Sequence, residues 1–226
     1  MTQISLPTLS PVARILWILL VVLVGGYLLG RWLNRRRSKA IGEWLQSGVK
    51  VLGSQTNWKF PGGVSSGAEV TIHNAIAPFR EVVISYHLLT REIPFLWGVE
   101  LLRGKRDTLV MRADLRANPR QEFEVVPLHG VLRRTLDQHP AEHPWRWAEM
   151  PSGLGMAGRN QAGERIETGV RAFLDRFGGS VQRLSLRERS PNLVLFVRVP
   201  GVQGAPAKEF LQAVRRLVDQ PGGKKG

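Results

Sequence analysis

The feature that most constrains this chain is an uncharged apolar run near its N-terminus. The run Ile15–Gly30 consists mainly of Leu, Val and Ile, and it lies between Arg14 and Arg31. As a helix rising 1.5 Å per residue it would span about 24 Å, and extension to Val12–Leu33 gives about 33 Å. A bilayer has a hydrocarbon core of about 30 Å. We therefore predict a transmembrane helix over residues 12–33.

The charges beside this run predict its orientation. One basic residue, Arg14, precedes it, and five follow it: Arg31, Arg35, Arg36, Arg37 and Lys39. Basic residues are retained on the cytoplasmic side of a membrane. We therefore expect residues 1–11 outside and the domain in the cytoplasm, at the inner membrane if the source is prokaryotic. A cleaved signal peptide is disfavoured, because no small-x-small cleavage site follows the apolar run.

Two glycines in the predicted span, Gly26 and Gly30, form a small-xxx-small pair. Such a pair lets the backbone of another helix approach closely, so it is a candidate contact with a partner in the membrane. The alternative is that glycine is simply common in membrane helices.

The net charge of +14 predicts partners that carry phosphate. Lys and Arg number 32 against 18 acidic residues, and such a field attracts the phosphates of RNA or of lipid headgroups. The candidate contacts are Arg31, Arg35, Arg36, Arg37, Lys39, Lys105 and Arg106. The alternatives are an orientation signal resting on anionic lipid and an ordinary solvated surface. No motif predicts sequence-specific binding of nucleic acid. The absence of cysteine excludes disulfides, cysteine-ligated metals and thiol nucleophiles.

The hydrophobic pattern beyond residue 34 predicts an α+β domain over residues 34–220, followed by a flexible tail, 221–226. A helix is expected to continue past the membrane through Ile41, Leu45 and Val49. Further helices are predicted near Pro94–Leu102, Glu164–Phe177 and Ala207–Asp219. Strands are predicted at Ala68–His73, Glu81–Thr90, Thr108–Arg116, Gln121–Leu128, Val181–Arg189 and Leu193–Pro200.

The order of these strands favours a single, largely antiparallel sheet. Thr108–Arg116 and Gln121–Leu128 are expected to form a hairpin around Asn118-Pro119. Leu193–Pro200 is almost entirely apolar, which predicts a central strand. His129–Asn160 is less regular, and we interpret it as a connector with a short helix near Leu132.

No pattern in the chain predicts a catalytic, cofactor or metal site. Gly153–Gly158 matches G-x-G-x-x-G, but the motif needs an apolar strand before it and a helix opening within it. His139 and His143 are four residues apart, but Pro140 lies between them and disfavours the helix that would bring them together. We therefore expect a protein that is not an enzyme, with no cofactor.

Several segments, in order, resemble the calumin family, whose members are subunits of the PAT complex of the multipass translocon. The segments are Tyr27–Arg31, Arg37–Trp44, Val99–Asp107, Arg116–Pro119, Glu122–Val126 and Leu193–Gly201. Residues 1–11 contain no acidic side chain, so the family's calcium-binding acidic segment is not carried over. The family's charged coiled-coil tail has no counterpart here either. The chain is expected to be a short, prokaryotic relative.

The resemblance implies a non-catalytic membrane-biogenesis factor, a chaperone that assists insertion or assembly of multispan proteins. Its expected partners are the translocon or nascent multispan clients, the ribosome and anionic lipid. The alternative is a membrane-tethered enzyme or an anionic-lipid-binding domain.

Overall fold

One long helix and one antiparallel sheet organise the computed structural model, which describes residues 10–63, 65–119, 121–129, 133, 146–158 and 164–219. Helix α1 runs from Pro11 to Gly48, and one 3-10 turn, Val49–Val51, extends it. The later helices, in chain order, are α2 (Pro94–Leu102), α3 (Glu164–Phe177), α4 (Val199–Val202) and α5 (Ala207–Val218).

Helix α1 is continuous from an exposed apolar part to a part that packs against the domain. Ser10 caps its N-terminus by accepting a hydrogen bond from the Ala13 amide, and Pro11 occupies the first turn, where a missing amide costs nothing. Among the described residues it is the one helix long and apolar enough to cross a membrane, and its apolar part is not buried in the protein. Its second half buries one stripe at helical spacing: Gly30, Asn34, Ser38, Ile41, Leu45 and Gly48. The predicted continuation of the helix beyond the apolar run is confirmed.

The described residues form nine strands in a single sheet. In chain order they are β1 (Gln55–Lys59), β2 (Gly67–His73), β3 (Phe79–His87), β4 (Thr108–Leu115), β5 (Phe123–Pro127), β6 (Arg146–Met150), β7 (Leu154–Gly158), β8 (Val181–Leu186) and β9 (Leu193–Arg198). The order across the sheet is β1-β2-β3-β4-β9-β8-β5-β7-β6, and neighbouring strands are antiparallel. The predicted α+β class is confirmed, as is the central place of β9.

The predicted hairpin between β4 and β5 is wrong. β4 pairs with β3 and β9, whereas β5 pairs with β8 and β7. The end of β4 is held by other partners, because Asn192 accepts a hydrogen bond from the Leu115 amide at 2.9 Å. The next side chain, Arg116, donates to the carbonyls of Phe79 and Ala75. These bonds direct the chain away from β4, and β9 of the β8–β9 hairpin pairs with β4 instead.

The prediction that residues 129–160 form a connector is also wrong in its second half. β6 and β7 form a hairpin there, turning at Ser152 and Gly153, both of which have positive φ. The glycine-rich sequence Gly153–Gly158 therefore lies mostly in a strand paired on both sides, which excludes a phosphate-binding loop. His139, His143 and the helix near Leu132 lie outside the described residues, as do most of residues 1–11 and the tail.

The helices pack together around an aromatic cluster. Trp44 of α1 lies 6.0 Å from Phe210 of α5, whose ring also contacts Phe173 and Phe177 of α3. The Trp44 indole donates a hydrogen bond to the Ala205 carbonyl at 2.8 Å. Since these contacts involve the second half of α1, they fix the direction of the predicted span relative to the sheet.

Candidate functional site

The helix divides the basic residues that follow the predicted span into two groups. Arg31, Arg35 and Lys39 are spaced by four residues, so they share one face of α1. Arg36 lies over the Trp32 ring, 5.7 Å from its centre, and Arg37 approaches Asp107 at 3.9 Å. The first group lines a cavity, whereas Arg36 and Arg37 have partners of their own, so the five cations predicted as one phosphate-binding surface lie in two separate environments.

That cavity, which we call the basic groove, lies between α1 and the β1–β2 hairpin. Its volume is about 730 Å³. The lining residues are Arg31, Arg35, Ser38, Lys39, Gly42 and Gln46 from α1, Trp58, Phe60, Gly62, Gly63 and Ser65 from the hairpin, and Tyr86 from β3. None of these described lining residues is acidic. The groove therefore combines three cations with three aromatic side chains and several hydroxyl groups.

The three cations of the groove differ in how far they are already paired. Arg31 donates a hydrogen bond to the Tyr27 hydroxyl at 3.1 Å, and Lys39 lies 3.8 Å from Glu43 with both side chains exposed. Arg35 makes no ion pair or hydrogen bond with any residue that the structure describes. It is therefore the cation best able to bind an incoming anion.

The floor of the groove is neutral and ordered. The hydroxyls of Ser38 and Tyr86 lie 2.8 Å apart, and the Tyr86 hydroxyl also donates to the Ser38 carbonyl at 3.2 Å. Burial raises the pKa of the Tyr86 phenol, and its hydrogen bond with Ser38 acts in the opposite direction. Because the phenol stays protonated at neutral pH, it adds no negative charge to repel an anion.

Two glycines shape the opposite wall. Gly62 and Gly63 have φ of 93° and 84°, a left-handed conformation that other residues rarely adopt. The turn is closed by the Gly63 amide donating to the Phe60 carbonyl, and by the Ser66 hydroxyl donating to the Gly62 carbonyl. The loop can therefore place Phe60 beside the cations of α1.

Beside the groove, a buried polar node of Asn34, Arg91 and Asp107 joins the helix to the sheet. Arg91 donates to both carboxylate oxygens of Asp107, at 3.0 and 2.8 Å, and to the Asn34 side-chain oxygen at 2.8 Å. Asn34 in turn donates to the Leu89 carbonyl, and the Leu89 amide donates to Asp107. Sequence reasoning missed this node. Its one local signal was a polar residue, Asn34, on the stripe of α1 that the domain buries.

The structure gives Gly26 and Gly30 neighbours within the chain. A methyl group on Gly26 would come within 2.5 Å of the Pro94 ring, and one on Gly30 would overlap the Arg91 carbonyl. The close approach that the glycines permit is therefore used by the start of α2. Contact with a second protein at this pair stays a prediction.

The remaining predicted contacts, Lys105 and Arg106, do not line the groove. Lys105 pairs with Glu100 at 3.1 Å, and Arg106 donates to the carbonyls of Leu101 and Lys105. These bonds hold the link between α2 and β4, so Lys105 and Arg106 lie together but outside the basic groove.

Another basic cluster is satisfied by a buried carboxylate. Glu124 accepts hydrogen bonds from Arg183, Arg187 and Ser185, and its side chain is only 2% exposed. This arrangement neutralises the carboxylate within the sheet, so we interpret it as structural. Among the described residues, no group of three or more His, Asp or Glu side chains converges as metal ligands.

Comparison with known proteins does not extend these observations. No protein-family model matches the chain, and a search of curated proteins finds no significant match.

Proposed function

We propose that this chain is a membrane-anchored, non-catalytic protein that binds the phosphate of an anionic lipid headgroup in the basic groove. The observation that carries this proposal is the placement of Arg31, Arg35 and Lys39 on one helical face, opening into a cleft whose described lining is free of carboxylates. The positive groove begins where the predicted span ends.

The depth of the cations suits a lipid headgroup. The polar layer of a bilayer is about 5–8 Å thick on each side of the hydrocarbon core. Arg35 lies about 6 Å beyond Arg31 along α1, and Lys39 lies about 12 Å beyond it. Arg31 and Arg35 therefore meet the layer in which lipid phosphates lie, while Lys39 can reach a charged group at the far end of a larger headgroup.

The aromatic wall supports the same assignment. Trp58 is half-buried and Phe60 exposed at the mouth of the groove. The amphipathic ring of a tryptophan favours the level of the headgroups, and an exposed phenyl ring such as that of Phe60 can contact the upper acyl chains. A soluble phosphorylated compound would gain less from these rings than a lipid would.

The experiment compares short-chain lipids as ligands of the full chain in zwitterionic detergent. We expect dioctanoyl phosphatidylglycerol, but not dioctanoyl phosphatidylcholine, to raise the melting temperature, because a ligand that binds only the folded state stabilises it. The variant Arg35→Gln with Lys39→Gln should lose most of this shift. Arg216→Gln, which removes an exposed arginine from α5, is the control and should retain it.

Two outcomes contradict the lipid assignment. If both variants respond to phosphatidylglycerol as the parent does, the groove is not the site. If inorganic phosphate at equal concentration gives the same shift as the anionic lipid, the groove binds phosphate from a soluble source.

A second candidate function is the membrane-protein biogenesis that the family resemblance implies. The observation that favours it is the continuity of α1, which joins the predicted span to a basic domain without a flexible linker. A helix held in this way could contact a translocon or a nascent multispan client while the domain faces the ribosome. Purification from native membranes at low and high salt tests this idea, because ribosome association through phosphates weakens steeply with salt. Failure of multispan proteins or ribosomes to co-purify at low salt would contradict it.

A further inference from the structure

Helix α2 exposes an unusual amount of apolar surface for a protein surface helix. Its sequence is Pro-Phe-Leu-Trp-Gly-Val-Glu-Leu-Leu, and none of its nine residues, all of which the structure describes, is fully buried. Phe95 is 78% exposed and Leu102 is 90% exposed. These two residues are seven apart, so they lie on the same face of the helix two turns from each other. A soluble domain would be expected to turn this face toward its core.

The start of α2 lies beside the predicted span. Pro94 contacts α1 at Gly26, and the Arg91 carbonyl contacts it at Gly30. Gly26 is five residues before Arg31, the first charge after the apolar run, and so lies about 7.5 Å inside the hydrocarbon edge. Pro94 must then reach below the headgroups, together with the residues next to it.

The polar node fixes α2 at this depth. Arg91 is bonded to Asn34 of α1 and to Asp107 at the start of β4, so the segment before α2 is clamped between helix and sheet. The last turn of α2 is bonded back to this segment, because the Glu100 carboxylate accepts a hydrogen bond from the Thr90 amide. Both ends of α2 are therefore tied to the segment that the buried ion pair holds.

The charges around α2 agree with an interfacial position. The acidic residue of the helix, Glu100, is neutralised by Lys105 and accepts a hydrogen bond from the Thr90 amide. Arg103, exposed, follows the last turn directly. Glu92, half-buried, precedes the helix, so the cations border its C-terminal end. An apolar helix face with cations beside it is typical of an element lying in the headgroup boundary with its apolar side among acyl chains.

From this geometry we infer that α2 is a second membrane-contacting element, whose Phe95–Leu102 face lies against the acyl chains of the leaflet adjoining the domain. The occupant of the exposed face is lipid, because the face is continuous with the lipid-facing surface of the predicted span through the Gly26–Pro94 contact. The inference does not depend on headgroup binding in the basic groove.

The absence of cysteine allows a direct test in the full chain. Phe95→Cys and, as a matched control, Ile76→Cys are labelled with an environment-sensitive fluorophore and reconstituted in phosphatidylcholine–phosphatidylglycerol vesicles. Ile76 is also an exposed apolar residue, at 42%, but its amide donates to the Leu52 carbonyl. Leu52 lies twenty-one residues beyond Arg31, about 31 Å from the same hydrocarbon edge.

We expect nitroxide-bearing lipids to quench the Phe95 label several-fold more strongly than the Ile76 label, and aqueous iodide to do the reverse. Equal quenching of the two labels by either reagent would overturn the inference. So would a Phe95 label in native membranes that neither reagent quenches, because a protein would then cover the face. If Phe95→Cys does not fold, Leu96→Cys takes its place, since its side chain is also exposed.

Discussion

At the scale of single residues, a buried ion pair is what joins the predicted span to the domain. The carboxylate of Asp107 is 2% exposed, and Arg91 is nearly as deeply buried. Removing one partner of a buried pair leaves an uncompensated charge and typically costs about 3–5 kcal/mol. We therefore expect a large loss of stability from a substitution that removes the charge of Asp107 but preserves the shape of its side chain.

We expect Asp107→Asn to lower the free energy of unfolding by about 3–5 kcal/mol, for this reason. Asp114→Asn is the control, because Asp114 pairs across 3.5 Å with Arg80, whose side chain is mostly exposed. Such exposed pairs contribute about 0–1 kcal/mol. Denaturant unfolding of the full chain in detergent measures the stability of both variants. Equal losses of free energy of unfolding would show that the Asp107 pair stabilises the fold no more than the Asp114 pair does.

Tyr86 predicts a dependence of stability on pH. Burial raises the pKa of its phenol in the folded protein, so the folded state favours the protonated form. The corresponding stabilisation is present below the unfolded pKa of about 10, and it is lost as the pH rises through the folded pKa. Unfolding measured from pH 8 to 11 should show this loss in the parent and in Tyr27→Phe, but not in Tyr86→Phe. A curve for Tyr86→Phe that falls as the parent's does would contradict the assignment.

Several residues of the groove could be anticipated from the sequence, and others could not. The spacing of Arg31, Arg35 and Lys39 follows from helical geometry alone, since a helix places every fourth residue on one face. The wall and floor could not be predicted, because Phe60 and Tyr86 reach α1 only through the folding of the sheet. Arg91 and Asp107 are likewise distant in sequence from Asn34 and belong to no local pattern.

At the scale of elements, the sequence predicted the positions of strands better than it predicted which strands pair in the sheet. In the predicted strand Thr108–Arg116, the alternation of Leu109, Met111, Ala113 and Leu115 with polar residues predicts one buried face. The structure buries these four side chains and exposes Arg112. Pairing was predicted from chain adjacency, which fails where another hairpin inserts between two strands. β1 was missed because its polar sequence, Gln-Thr-Asn-Trp-Lys, lies at the edge of the sheet and buries little.

The contact between α1 and the segment that leads into α2 predicts a loss of stability from substituting one glycine of α1 but not another. Gly30→Leu should lower the free energy of unfolding by more than about 1–3 kcal/mol, because the added side chain meets the Arg91 backbone, which cannot rotate away. Gly25→Leu is the control, since its position opens onto free space. Thermal unfolding and limited proteolysis of α2 report the difference. Wild-type behaviour of Gly30→Leu would show that α2 does not rest on the helix.

At the scale of the whole molecule, one continuous helix combines an exposed apolar part, long enough to cross a membrane, with a part that the domain covers. The stripe Gly30–Gly48 of α1 is covered by the protein, while the preceding residues expose Leu, Ile and Val on every side. A helix that is apolar all round is typical of a membrane span or of the core of a large protein, and a helix with one apolar stripe is typical of a domain surface. The sequence predicted this division because both patterns are long and regular. It could not predict that α2 returns to the span, since the short apolar stretch Pro94–Val99 is also typical of a core helix.

The last prediction concerns which side of the membrane carries the groove. Five basic residues after the span against one before it predict an outside N-terminus and a cytoplasmic domain. In intact cells, a membrane-impermeant maleimide should label a cysteine added before Met1, but Ile76→Cys only after permeabilisation. Replacing Arg35, Arg36 and Arg37 with glutamine while adding three lysines to the N-terminus should produce labelled Ile76→Cys in intact cells, because the charge difference is then reversed. A domain labelled in intact cells without these changes would place the groove against the outer leaflet, and the anionic lipid of the cytoplasmic leaflet could no longer be its ligand.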